Sequence, residues 1–419
     1  MQHFFTSRFA SAMFAVAFVF VLTAGGFAQS RPQKNERPTG DGKKNERPKP
    51  MTEEERLKAE AEKKRLEEEK NAIIDDDILR IEAKIVNVDA VVYNKKSGQV
   101  VNGLKKENFA VFENGVKQEL VSFAEPESPI TVTLVVEYSK WTEVFGSAAG
   151  GYFEPGANEV IKPVAYFLSK FIRPPDDYAS VIAFDMRPTP ITDFTNDPQR
   201  LNQTVNLLFR NRPAFRENNL WDALSFALIG GRGDTVVLDN PEEEKADYAG
   251  MVAVKSKRRA IILVASGIDT FSKINYDQIR RIIQESGIPI YVISTGNLFY
   301  KRYEHLLPAT DGLTGAPGRM TFLQAQNSMN TIAKESGGVH YPMTFEGEVP
   351  GILNSINAYL RSQYSLAYDL GSTKREPGKK YKIEVKVDLD NDGEFDDEKN
   401  FEVQHRPSFS LPKPKDAKK

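Results

Sequence analysis

The densest concentration of chemistry in the chain is Asp388-Leu389-Asp390-Asn391-Asp392-Gly393-Glu394-Phe395-Asp396. Carboxylates at alternate positions point to one side of a loop and a glycine permits a sharp turn, which is how proteins gather oxygen ligands around a hard cation. Asp388, Asp390, Asp392, Glu394 and Asp396 are therefore candidate Ca²⁺ ligands, and Ca²⁺ is the one cofactor these residues point to. The twelfth position holds Lys399 in place of the bidentate Glu of a helix–loop–helix calcium unit, and the flanks read as strands. That unit is not expected here, and Asp397 or Glu398 would have to supply the missing ligand. An acidic hairpin tip without an ion uses the same Asp, Asn and Gly for turn reasons, so both readings stay open. Crowded like charges favour a counter-ion.

Other chemistries are thinly supplied. There is no Cys, which removes disulfides, thiolate nucleophiles, Cys-ligated metals and a lipid-modified N-terminal cysteine. The 4 histidines, His3, His305, His340 and His405, stand far apart, and His340 in Gly338-Val339-His340-Tyr341 reads as a structural residue on a strand edge. Arg232-Gly233-Asp234 matches an integrin-type tripeptide and is expected in a loop, but so short a match arises readily by chance. No glycine-rich phosphate loop follows a buried strand. With 56 Lys+Arg against 58 Asp+Glu the chain is nearly neutral, which argues against nucleic acid as a partner.

The elements that would position these groups follow from patterning. Residues 1–28 read as a signal peptide: a basic start, the apolar run Phe9 to Leu22, and small residues before Gln29. Export to the periplasm or the extracellular space is expected, with no stable membrane insertion after cleavage. Residues 29–77 form a charged arm in which Lys-Asn-Glu-Arg-Pro occurs at Lys34–Pro38 and Lys44–Pro48, with a solvated helix expected over Thr52–Lys70. Residues 78–127 read as an N-terminal β unit, with strands near 83–93, 109–113 and 116–123 and a hairpin signal at Asn114-Gly115.

From 128 to 346 the pattern changes to continuous apolar, β-branched runs at 130–136, 179–184, 260–265 and 288–293, separated by helical stretches. Such runs are what strands buried on both faces require. The expected fold class is α/β, a doubly wound, mostly parallel sheet flanked by a small β unit built from the N- and C-terminal segments. Residues 347–406 complete it with a helix and β strands, and 407–419 read as a loose tail.

The pieces Val100-Val101-Asn102-Gly103-Leu104-Lys105-Lys106-Glu107-Asn108-Phe109, Val111-Phe112-Glu113-Asn114-Gly115, Asp222-Ala223-Leu224 and Gln363-Tyr364 resemble those of bacterial, acidobacterial-type von Willebrand factor type A-related proteins. The resemblance spans about Ile85 to Arg406. It implies a type A domain, in which Asp-x-Ser-x-Ser after the first strand, a Thr in a second loop and an Asp in a third hold a divalent cation whose open position a partner's carboxylate completes. Here the first motif stands as Glu137-Tyr138-Ser139-Lys140-Trp141, the second loop offers Asn218, and the third offers Ser266-Gly267-Ile268-Asp269.

On this resemblance Glu137, Ser139, Asn218 and Asp269 are the residues of a degenerate metal site. The fold is expected to persist without metal, and Glu137→Ala is expected to leave stability and the response to divalent ions nearly unchanged. Tyr138, Lys140 and Trp141 are the candidate contacts for a protein or cell-surface ligand. The function these readings imply is non-enzymatic protein or surface binding. The alternatives are a calcium-stabilised structural protein and a hydrolase of envelope polymers working with carboxylate pairs.

Overall fold

The computed structural model describes residues 85–139, 162–210, 217–234, 245–256, 258–312, 317–371, 375–396 and 399–411. They belong to one compact unit, Glu54–Lys419. The signal-peptide and arm readings, together with Lys140, Trp141, Asp397 and Glu398, lie outside the described residues.

The first segment holds β1 (Ile85–Asn94), β2 (Phe109–Glu113), β3 (Val116–Gln118) and β4 (Leu120–Ala124). The middle holds β5 (Thr131–Glu137), α1 (Lys162–Tyr166), β6 (Tyr178–Phe184), β7 (Pro188–Thr195), α2 (Pro198–Arg210), α3 (Leu220–Ile229), β8 (Gly231–Asp234) and β9 (Lys245–Tyr248). It continues with β10 (Arg259–Ala265), α4 (Tyr276–Ser286), β11 (Ile290–Ser294), α5 (Gly296–Tyr303), α6 (Arg319–Ser336), β12 (His340–Pro342) and α7 (Val349–Arg361). Four strands close the chain: β13 (Tyr364–Asp369), β14 (Lys380–Val387), β15 (Phe401–His405) and β16 (Ser408–Ser410).

The fold is mixed α/β. Its six-stranded sheet has the order β12-β11-β10-β5-β6-β7, parallel throughout except for β7, which runs antiparallel to β6. β5, β10 and β11 are buried at every position. Their alternate residues feed two cores: Val132, Leu134, Ile262 and Ile293 meet α1, α2 and α7 on one face, while Val135, Ile261, Leu263 and Val292 meet α3, α4 and α6 on the other. Apolar residues on both sides of a strand are stable only when both faces are covered, which explains the continuous runs.

β7 is the one antiparallel strand of this sheet. Pro188 and Pro190 lack the N–H that an interior strand needs, so this segment is confined to a sheet edge, where its register with β6 also slips. α7 packs on the sheet through Leu353, Ile356 and Leu360, and its Tyr359 hydroxyl donates to Gln404 of β15.

Two four-stranded sheets, β15-β1-β13-β4 and β16-β14-β2-β3, enclose a separate core of Val88, Val92, Phe109, Val111, Tyr364, Leu366, Ile383 and Val385. They pair the beginning of the described chain with its end. At the β2–β3 hairpin, Asn114 and Gly115 take φ of 46° and 83°, the left-handed pair such a tight turn requires. The single strand expected over 116–123 is two strands in two sheets, broken at Glu119. The expected loose tail begins instead with β16, because Phe409 is buried and stacks on Tyr381 with ring centroids 5.2 Å apart.

Buried arginines join this β unit to the six-stranded sheet. Arg258 donates to the carbonyl oxygens of Leu360 and of Gln363, which leads into β13, while Arg361 ties α7 to the turn before β6 through a bidentate pair with Asp177. Arg406 lies against Gly287 and Gly337, the left-handed residues that end α4 and α6. Helix carboxyl ends carry partial negative charge, so a guanidinium there is favourably placed.

Candidate functional site

Crossovers from β5 lead to β6 on one side, and the chain later returns to β10 on the other, so the strand order reverses between β5 and β10. In open α/β sheets the crevice beyond the carboxyl ends at such a reversal is where ligands bind. β5 ends there with Glu137, and β10 runs into Ser266.

The structure brings Glu137, Ser139 and Asn218 together, and adds Ser266. Glu137 Oε1 accepts hydrogen bonds from Ser139 Oγ at 2.8 Å and Asn218 Nδ2 at 3.0 Å. Its Oε2 accepts from the Ser266 backbone N–H at 2.6 Å and from Ser266 Oγ at 2.7 Å. All four residues are at most 1 % exposed. Burial pushes the Glu137 pKa above its usual range, against the pull of hydrogen bonds from Ser266, Ser139 and Asn218.

A divalent cation needs oxygen lone pairs and an open position. Here each carboxylate oxygen already serves two donors, and the group is sealed from solvent. An amide N–H and a backbone N–H have no lone pair to offer an ion. This set does not fit a divalent cation. Nor does it resemble the carboxylate pair of a glycoside hydrolase, since the partners of Glu137 are hydroxyls and N–H groups.

Asp269 is not part of this group. Its Oδ1 accepts from Ser272 Oγ and from the Trp221 N–H at 3.5 Å, so it sits at the amino end of α3, where a carboxylate satisfies free amides. Burial pushes its pKa up as well. Tyr138, expected as an exposed contact, is instead a core residue: it is 9 % exposed and its hydroxyl donates to the Leu208 carbonyl at 2.7 Å. The strand ends at Glu137 and the next side chain turns back over the apolar face.

Ser266 is the member of this group that the sequence did not single out, because the expected pattern wants a carboxylate there. The signal for it was its place directly after a fully buried strand. The same segment holds Phe271, 53 % exposed, whose backbone N–H donates to the Asn218 carbonyl at 2.8 Å.

In the acidic loop the carboxylates of Asp388, Asp390 and Asp392 offer oxygens that lie within 4.8 Å of one another. Asp388 also accepts from the backbone N–H groups of Asp392 at 3.2 Å and Gly393 at 2.9 Å. Asp396 turns to the Leu389 N–H at 2.6 Å, and neither it nor Glu394 joins the trio. The Arg232-Gly233-Asp234 tripeptide is not a loop: it lies in β8, paired antiparallel with β9. His340 sits on β12 with Nε2 2.7 Å from Ser294 Oγ, and burial lowers its pKa to about 4.

A scan against protein-family models finds no match for the chain, and neither does a search of curated proteins. Among solved structures, the chain is similar to the vWF domain of the type V pili tip protein Mfa5 from Porphyromonas gingivalis, with 13% identity, TM-score 0.34, and coverage of 60% of this chain and 99% of that one. It is similar to BatB from Bacteroides thetaiotaomicron, with 12% identity, TM-score 0.34, and coverage of 56% and 100%. A third is the PilB minor pilin from Streptococcus sanguinis, with 10% identity, TM-score 0.37, and coverage of 66% and 78%. Likenesses this distant assign neither a family nor an activity.

Proposed function

We propose that the chain is an exported, non-enzymatic binding protein of the von Willebrand factor A type. On this reading its six-stranded sheet is a doubly wound sheet whose metal site has been lost, and the β unit is its support. The observation that carries the reading is the meeting of Glu137, Ser139, Asn218 and Ser266 at the β5/β10 reversal, the place where a type A domain engages its partner. Lys140 and Trp141, which follow Ser139 directly, are the proposed contacts with a protein or cell-surface ligand.

The test is sedimentation of the purified chain with isolated cell-envelope fractions, comparing wild type with Trp141→Ala and Lys140→Ala. Bound protein should fall about tenfold with Trp141→Ala, the effect of losing an aromatic anchor. Binding unchanged in both variants, or release of soluble polymer fragments by the wild type, contradicts the reading; the second result would favour the hydrolase.

A second reading rests on the trio Asp388, Asp390 and Asp392. In it Ca²⁺ bound in the 388–396 loop stabilises the β unit. Excess Ca²⁺ over EDTA should raise the melting temperature, and Asp390→Ala should abolish that rise. A wild-type melt indifferent to Ca²⁺ removes this reading.

A further inference from the structure

The segments that meet at Glu137 are distant in sequence: Asn218 is 81 residues away and Ser266 is 129. β5 delivers the carboxylate, the turn before α3 delivers the Asn218 amide, and the turn after β10 delivers the N–H and hydroxyl of Ser266. We infer that the Glu137 carboxyl group takes the mechanical place of a divalent cation, tying these loops together from within so that the carboxyl-end face keeps one arrangement without metal. The inference deepens the type A reading only in naming what is replaced; the hydrogen bonds stand without it.

The polarity of the site carries the argument. A cation site is a positive centre surrounded by oxygen acceptors. This one is an acceptor centre surrounded by donors, two of which, the Ser266 N–H and the Asn218 amide N–H, can only donate. Glu also reaches one methylene further than the Asp expected after the first strand, and its oxygens meet both the turn before α3 and the turn after β10. No open coordination position is left for a partner's carboxylate.

The knot extends to the surface through Asn218. Its backbone N–H donates to Thr270 Oγ1 at 2.8 Å, and its carbonyl accepts from the Thr270 N–H at 3.2 Å and the Phe271 N–H at 2.8 Å. Glu137 is thus a positioning residue for the loop that presents Phe271. One atom is left over: Asn218 Oδ1 is buried without a hydrogen-bond partner. Once the Asn218 amide flips, this oxygen becomes the acceptor that an amide at position 137 needs, so Glu137→Gln can keep its Oε1 on Ser266 and place its NH₂ against Asn218 Oδ1.

Residue-resolved hydrogen exchange on the full chain tests this. In the wild type the amides of Ser266, Thr270 and Phe271 should exchange at the same rates in EDTA, Mg²⁺ and Mn²⁺. Glu137→Ala should speed them about tenfold or more relative to the interior of β10, the factor carried by a lost buried hydrogen bond, and Glu137→Gln should restore most of the protection. Slower exchange with Mg²⁺ or Mn²⁺ in the wild type would overturn the inference, as would unchanged exchange in Glu137→Ala. If Glu137→Ala fails to fold, the wild-type metal comparison and Glu137→Gln decide it: protection kept in Gln supports the inference, and protection gained with metal ends it. Loss of envelope binding would be a separate result, because exchange at these amides does not depend on any partner.

Discussion

At the scale of the residue, a buried carboxylate with four donors should be among the costliest side chains to remove. Glu137→Ala strands the Ser266 N–H and the Asn218 amide in a sealed site, and uncompensated buried polar groups cost about 1–3 kcal/mol each. We expect a loss of about 3–5 kcal/mol by chemical denaturation, with Glu137→Gln much milder. That reverses the expectation from sequence that the alanine variant would be nearly silent. The grouping of 137, 139 and 218 was expected from the family resemblance; their inward hydrogen bonding was not legible, because donors come from segments 81 and 129 residues away. A second prediction concerns His340. Its folded pKa lies at about 4, below the ordinary 6.5, so as pH falls the unfolded chain takes up this proton first. The contribution is fully present above about 6.5 and is lost as pH falls toward 4. His405, also lowered by burial, acts in the same sense, whereas Glu137 and Asp89, raised by burial, favour the folded state at low pH. The difference in urea midpoint between wild type and His340→Gln isolates the one group; it should change between pH 7 and pH 4, and a pH-independent difference contradicts the assignment.

At the scale of the element, strand identity followed from apolar β-branched runs, and the long buried strands lie where those runs lie. Thr131–Glu137 and Arg259–Ala265 differ by only a residue or so from the stretches read as 130–136 and 260–265. Local patterning failed where tertiary context decides. Pro188–Thr195 carries two prolines and becomes a strand only because it has an edge to occupy, and the stretch 116–123 reads as one strand until Glu119 divides it between two sheets. The junction of α7 with β6 gives a testable case. Arg361 and Asp177 form an ion pair at side-chain exposures of 6% and 1%, and Asp177 also accepts from the Ile130 N–H at 3.0 Å and the Arg173 N–H at 3.0 Å. Arg361→Ala leaves that carboxylate buried without its cation, which costs about 3–5 kcal/mol. Thermal or chemical denaturation checks it, and a variant within 1 kcal/mol of wild type would show that backbone donors alone satisfy Asp177.

At the scale of the whole molecule, the β unit closes around the two ends of the described chain, and buried arginines at 258 and 406 fasten it to the six-stranded sheet. Hydrophobic patterning pointed to the α/β class and to a small β unit built from the N- and C-terminal segments, but not to which strands pair, since β1 and β13 stand on either side of the whole six-stranded-sheet segment in the sequence. The central claim is that the carboxyl-end face is held by Glu137 and not by an ion. The most direct measurement is thermal melting of the full chain carrying Asp390→Ala, which removes the acidic loop as a competing site, in EDTA and then in excess Mg²⁺ or Mn²⁺. The account predicts the same melting temperature in all three conditions. A rise of several degrees with Mg²⁺ or Mn²⁺ would contradict it.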